Sequence, residues 1–116
     1  MKALRRLFLA AVAIFALMQL LRPGIPTKSA TAEVVAPPRV KQILNRSCYS
    51  CHSAGRPLAW FDEIVPANWL VRHDILTARR HLNFSTLGSK SVPAQKGALY
   101  EAVNFIQLGA MPKAPS

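Results

Sequence analysis

The chain has 116 residues, 51% of them hydrophobic, with fifteen Lys and Arg against five Asp and Glu. That length holds one domain at most. The net charge of +10 is unevenly placed: Lys2, Arg5, Arg6, Arg22 and Lys28 precede every acid, and the remainder sets ten cations against five acids, a net +5. No run of Lys and Arg with interleaved aromatics occurs, so no nucleic-acid partner is expected. The mildly basic surface suits acidic protein partners, an anionic membrane or a ligand bearing carboxylates.

The N-terminus reads "MKALRRLFLAAVAIFALMQLLRPG", three basic residues ahead of an uncharged run from Leu7 to Leu21. Fifteen helical residues rise about 22 Å, short of the roughly 30 Å hydrocarbon core. Snorkelling by Arg5 and Arg6 lets Leu4 extend the apolar span, giving a membrane contact over residues 4–21. A signal anchor is the expectation; Ala30-Thr31-Ala32 offers the alternative, cleavage near Ala32 and a soluble periplasmic product. Either way the positive start stays in the cytoplasm, and the C-terminal part lies in the periplasm or outside the cell. Residues 22–38 hold four prolines and little periodicity, and read as an exposed, semi-extended linker.

The domain is expected over 39–116, under eighty residues and therefore in need of a staple, metal or cofactor. Pro37 and Pro38 lead into a first helix, in which Val40, Ile43, Leu44 and Ser47 keep helical spacing. It delivers Cys48 to His52 at its C-terminal end. "SAGRPLAWFDEIV" is a loop, with Trp60 and Phe61 as packing anchors. Pro66 opens a second helix running to about Asn83. Ser91 and Pro93 mark a third, where Leu99, Ala102, Val103 and Ile106 form an amphipathic stripe and Gly109 ends the helix.

The only two cysteines, Cys48 and Cys51, lie in "SCYSCHS". A redox dithiol belongs at a helix N-terminus on a βαβ scaffold, and neither is present in the pattern. Zinc needs four ligands, and His73 and His81 stand at the wrong spacing to join the thiols and His52. A disulfide between thiols three apart on a helical turn closes a strained ring. Covalent haem uses the whole motif: two thiols add across the two porphyrin vinyl groups, and His52 is carried under the ring as the proximal iron ligand. Attachment outside the cytoplasm agrees with the exported start.

The sixth ligand is the open question for the sequence. Met1 and Met18 lie in the membrane segment, leaving Met111 in "GAMPKAPS" as the expected distal ligand. His73 is the alternative, sharing a helix face with Trp69 and Leu76; His81 and an open position follow. Arg79 and Arg80, at the end of the second helix, suit that helix terminus electrostatically. They are also candidates for pairing with haem propionates, as are Arg56 and Trp60 for propionate or pocket contacts.

These residues resemble a group of small bacterial haem-binding domain proteins with an N-terminal membrane segment and one haem c. The resemblance covers most of Arg39 to Pro112 and rests on "ILNRSCYSCHS", "AWFDEIVPANWLVRHD", "RRHLNFS" and the closing "GAMP". It implies haem attachment by Cys48 and Cys51, iron ligation by His52, and Met111 as its partner. Members of the group commonly continue past the Met-Pro with a further helix, whereas five residues follow Met111 here. A five-coordinate haem sensor or small-ligand-binding module is therefore the alternative function. The expected architecture is all-α: a small three-helix cytochrome c-like domain behind a membrane helix (1–21) and a Pro-rich linker (22–38). The expected function is that of a monohaem c-type cytochrome passing single electrons at the outer face of the cytoplasmic membrane to acidic redox partners. No enzymatic activity is expected, with a peroxidase as the remote rival.

Overall fold

The structure is a computed structural model that describes residues 1–27, 30–55 and 58–113. Its elements are α1 (Lys2–Met18), α2 (Pro38–Ser47), α3 (Tyr49–His52), α4 (Ala67–His81) and α5 (Val92–Gln107), joined by short 3-10 turns. No strand occurs among the described residues, so the all-α expectation is borne out. The chain forms two compact units: residues 1–25 with 58–74, and residues 26–57 with everything from Ile75 onward.

In the first unit, α1 runs into a 3-10 turn at Gln19–Leu21, giving one apolar helix from Lys2 to Leu21. Its 20 residues correspond to about 30 Å, long enough to cross a hydrocarbon core. By length and composition it could equally be a signal sequence. Helical winding continues through Lys2, Arg5 and Arg6, which is why the element is longer than the uncharged run alone. The exit of this helix is bonded to the segment that follows residue 58. The Gln19 side-chain amide donates to the Val65 carbonyl at 2.9 Å and accepts from the Val65 N–H at 3.0 Å. The Trp69 indole donates to the Leu21 carbonyl at 2.9 Å, and Arg72 Nε donates to the Gly24 carbonyl at 3.2 Å. Arg22 donates to the Glu63 carbonyl at 3.3 Å and lies 3.7 Å from its carboxylate.

The second unit is built on Val34, Tyr49, Phe84 and Leu87, with Leu44, Cys48, Leu82 and Ala98 packed against them. Pro38 suits the first turn of α2, where its missing N–H is not needed. Ser91 caps α5, its hydroxyl accepting from the Ala94 N–H. Part of the segment expected to be free linker is docked here. Ala32 N–H donates to the Ser85 carbonyl, Val34 N–H to Phe84, and Gly88 N–H back to Ala32, at 2.9–3.2 Å. Val34 is buried, and Glu33 accepts a hydrogen bond from Tyr49 while pairing with Lys41 at 3.4 Å. These contacts are mostly made by backbone groups, which leave no trace in residue type.

The apolar stripe on α5 is not covered as its periodicity suggests. No residue of α5 is buried; Leu99, Val103 and Ile106 are exposed and Ala102 half-exposed. Val40 and Ile43 of α2 are exposed as well. A core of this size cannot cover two amphipathic helices, so their apolar faces are left for another group.

Candidate haem site

Cys48 ends α2 with a non-helical φ of −121°, and the chain restarts as the single turn α3. The Cys51 and His52 amides both donate to the Cys48 carbonyl, at 3.3 and 2.9 Å. That turn brings the two thiols and the imidazole together within five residues. Both cysteines are free thiols and half-exposed. Burial pushes the Cys48 thiol above its ordinary pKa, keeping it protonated near neutral pH.

His52 is held from both ends. Its Nδ1 lies 2.8 Å from the Leu82 carbonyl. A carbonyl can only accept, so Nδ1 carries the proton and Nε2 keeps its lone pair for a metal. The His52 carbonyl in turn accepts from the Phe84 N–H at 2.8 Å. The Phe84 ring stands edge-on to the imidazole, with centroids 6.4 Å apart, and packs on Tyr49 at 5.3 Å. Fixing a ligating imidazole through its second nitrogen is the usual way proteins orient such a ligand.

The stretch "RRHLNFS" thus acquires a role for most of its residues. Leu82 supplies the acceptor and Phe84 the packing. Asn83 Oδ1 accepts from the Ser85 N–H at 3.0 Å, shaping the turn after α4. The Ser85 hydroxyl lies 3.0 Å from that of Ser53 and accepts from the Ala54 N–H at 3.0 Å, tying down the chain just past His52. Sequence reasoning noted this stretch without assigning Leu82, Phe84 or Ser85. A carbonyl acceptor 30 residues from the histidine has no residue-type signature.

Arg79 donates through Nη1 to the Pro26 carbonyl, while its Nε is buried without a hydrogen-bond partner. Burial lowers its pKa, and the nearby Cys51 thiol opposes that shift. An orphaned guanidinium donor within electrostatic reach of Cys51 suits an anionic group such as a propionate. Arg80 instead bonds Thr77 at 3.1 Å in an exposed position. Arg56 lies outside the described residues. Trp60 and His73 belong to the first unit and are exposed, and His81 is exposed at the end of α4.

Met111 is half-exposed and follows a complete helix stop. Gly109 has φ +71°, its N–H donates to Ile106 at 3.0 Å, and the Ala110 N–H donates to Phe105 at 2.9 Å. This pair of bonds is a Schellman motif, for which the left-handed glycine is needed. The Met111 N–H also reaches the Phe105 carbonyl, at 3.3 Å, so the backbone leading to the thioether is fixed by its own helix.

A cavity of about 350 Å³ borders Glu33, Asn45, Tyr49, Ser53 and Ser85; it touches the motif through Tyr49 but is lined by neither cysteine nor His52. Among the described residues, no cluster of three or more His, Cys, Asp or Glu gathers to hold a metal ion, so the zinc alternative gains no ligands. A haem fits what is present: two accessible thiols, an imidazole with Nε2 free, an unpaired buried Arg79 donor and uncovered apolar faces on α2 and α5. Cys48, Cys51, His52 and Arg79 could hold it. No curated protein and no solved structure matches the chain. Residues 9–115, however, match the family described as a haem-binding domain, and with this geometry beside that match the chain belongs to the haem-binding domain family.

Proposed function

We propose that the chain is a monohaem c-type cytochrome that carries single electrons at the outer face of the cytoplasmic membrane and has no enzymatic turnover of its own. The observation that carries this reading is the Cys48-x-x-Cys51-His52 turn, with His52 Nδ1 committed to the Leu82 carbonyl and Nε2 left to bind iron. In attachment, Cys48 and Cys51 each add sulfur and hydrogen across one vinyl double bond, a balanced addition with no net oxidation. A haem held there would supply a one-electron couple, with a higher potential if its distal ligand were a thioether than if it were a second imidazole.

Met111 is assigned as that distal ligand in preference to His73. The Schellman stop fixes the backbone before Met111, whereas His73 is an exposed mid-helix residue. Arg79 is assigned to a propionate, its unpaired Nε supplying the donor.

Membrane retention is proposed over cleavage near Ala32. Gln19, Leu21, Arg22 and Gly24 are all bonded by residues 63–72, and the Ala32 amide and carbonyl are both paired within the second unit. Cleavage there would strip the first unit of every partner of Val65, Trp69 and Arg72 named above. The three basic residues in the first turns of the helix then face the cytoplasm, and the net +5 remainder meets acidic redox partners.

The test is a spectrum of the matured full-length protein before and after extraction with acidified organic solvent. Colour that stays with the polypeptide supports the thioether links; colour that leaves defeats them. Met111→Ala should abolish the weak thioether-to-iron band of the oxidised form. A spectrum that Met111→Ala leaves unchanged would defeat Met111 as the ligand and leave histidine or an open position. Carbon monoxide binding to the reduced wild-type protein without displacing a ligand would establish the five-coordinate alternative.

A further inference from the structure

The first unit places a group of exposed apolar side chains beside the exit of the apolar helix. Trp60 is 75% exposed, Phe61 54% and Leu70 64%, and the Trp60 and Phe61 rings meet edge to face at 5.7 Å. Sequence reasoning gave Trp60 and Phe61 an inward packing role, yet both face solvent. Patches of this kind on a folded protein mark a surface that something covers.

The hydrogen bonds of this unit say where the patch stands. Val65 is bonded through both its N–H and its carbonyl to Gln19, the first residue of the 3-10 turn that closes the apolar helix. Glu63 is bonded to Arg22 and Trp69 to Leu21. Residues 63–69 are therefore fixed at the level where the helix leaves the hydrocarbon. Trp60 precedes Glu63 by three residues, at most about 10 Å of extended chain, and Leu70 follows Trp69 directly. Side chains at that depth meet the headgroup and upper acyl region, where an indole satisfies both an apolar body and a polar N–H. Arg72 adds a cation at this level beside the Arg22–Glu63 pair, which suits anionic headgroups. The acids of the unit are accounted for: Glu63 pairs with Arg22, Asp62 is half-buried, and Asp74 is half-buried and partnered.

We propose that Trp60, Phe61 and Leu70 form a second membrane contact, seated in the lipid interface beside the exit of the Lys2–Leu21 helix. The inference rests on that helix being a retained span. It turns a single-helix tether into an anchored unit, in which the Gln19–Val65 and Trp69–Leu21 bonds hold the segment after residue 58 against the bilayer surface. A partner protein covering the same side chains is the competing occupant, and the test separates the two.

The photoreactive residue p-benzoylphenylalanine, introduced singly at positions 17, 60 and 70 of the full-length matured protein, reports what each position touches. Leu17, Trp60 and Leu70 are all exposed, so the replacements leave the fold intact. The protein is irradiated in vesicles of phosphatidylethanolamine and phosphatidylglycerol, and in membranes of the cells producing it. Phospholipid adducts at 17, 60 and 70, each several-fold above the unirradiated sample, are the expected result. Adducts at 17 but not at 60 or 70 overturn the second contact and leave the anchor standing. Protein adducts at 60 and 70 in cell membranes overturn it in favour of a partner. Absence of lipid at 17 as well overturns the retained span and this contact with it.

Discussion

His52 Nδ1 stands 2.8 Å from the carbonyl oxygen of Leu82, a bond between residues on opposite sides of α4 in the chain. It decides which imidazole nitrogen would be available to a metal. Because the acceptor belongs to the backbone, Leu82→Ala should leave the spectrum of the matured protein unchanged and cost stability only. Phe84→Ala, which removes a buried ring packed on both Tyr49 and His52, should lower the unfolding free energy by about 3–5 kcal/mol. Guanidinium unfolding with visible spectra before and after checks both. A changed spectrum in Leu82→Ala would show that the imidazole is not held in this way.

Ser85→Ala leaves the buried Ser53 hydroxyl and the Ala54 N–H without their partner. The expected loss is about 1–3 kcal/mol, read as a lower Tm, with the haem still attached. A neutral Ser85→Ala would mean that these groups find other partners.

Tyr49 links the core to the docked segment, donating to Glu33 at 2.9 Å. Burial, and then the Glu33 carboxylate, push its pKa from 10.0 up to about 12. Its neutral form is favoured in the fold, so this stability is fully present below the unfolded pKa and is lost as pH rises from 10.0 to about 12. Tyr49→Phe should flatten the fall in stability over that window and, at neutral pH, cost about 1–2 kcal/mol for the lost charge-assisted bond. Denaturation midpoints of the two proteins between pH 7 and pH 12 test this; parallel curves would count against it.

Gly88 sits where the docked segment passes closest. A Cβ built there would lie 2.8 Å from the Glu33 carbonyl oxygen and 2.9 Å from that of Ala32. Both are backbone atoms that cannot swing aside, so Gly88→Ala should destabilise by roughly 1–3 kcal/mol. A Tm equal to wild type would indicate that residues 32–34 do not pack as described.

Gln19→Ala removes the side-chain partner of both backbone groups of Val65, a residue with 0% exposure. Leaving them unpaired costs on the order of 1–3 kcal/mol, and local opening should become about tenfold or more easier. Hydrogen exchange of the Val65 amide in the detergent-solubilised full chain is the measurement. Protection equal to wild type would mean that Gln19 is not what holds that loop.

Residue order alone announced the helical elements around the motif and the Cys48-x-x-Cys51-His52 pattern that points to haem. Local signals suffice for both: Pro38, Pro66 and Ser91 set helix starts, Gly109 a stop, and Cys48, Cys51 and His52 lie within one turn and a half. Tertiary structure alone decided which nitrogen of His52 is free, that Ala32 to Val34 belong to the fold and that α5 leaves its apolar stripe uncovered. It also decided that Gln19 ties the helix exit to the loop before α4, and Trp69 ties it to the first turn of α4. These depend on backbone donors and acceptors brought together from distant parts of the chain. Every residue but proline carries the same N–H and every residue the same carbonyl, so residue type cannot announce such pairings; only the path of the folded chain selects them.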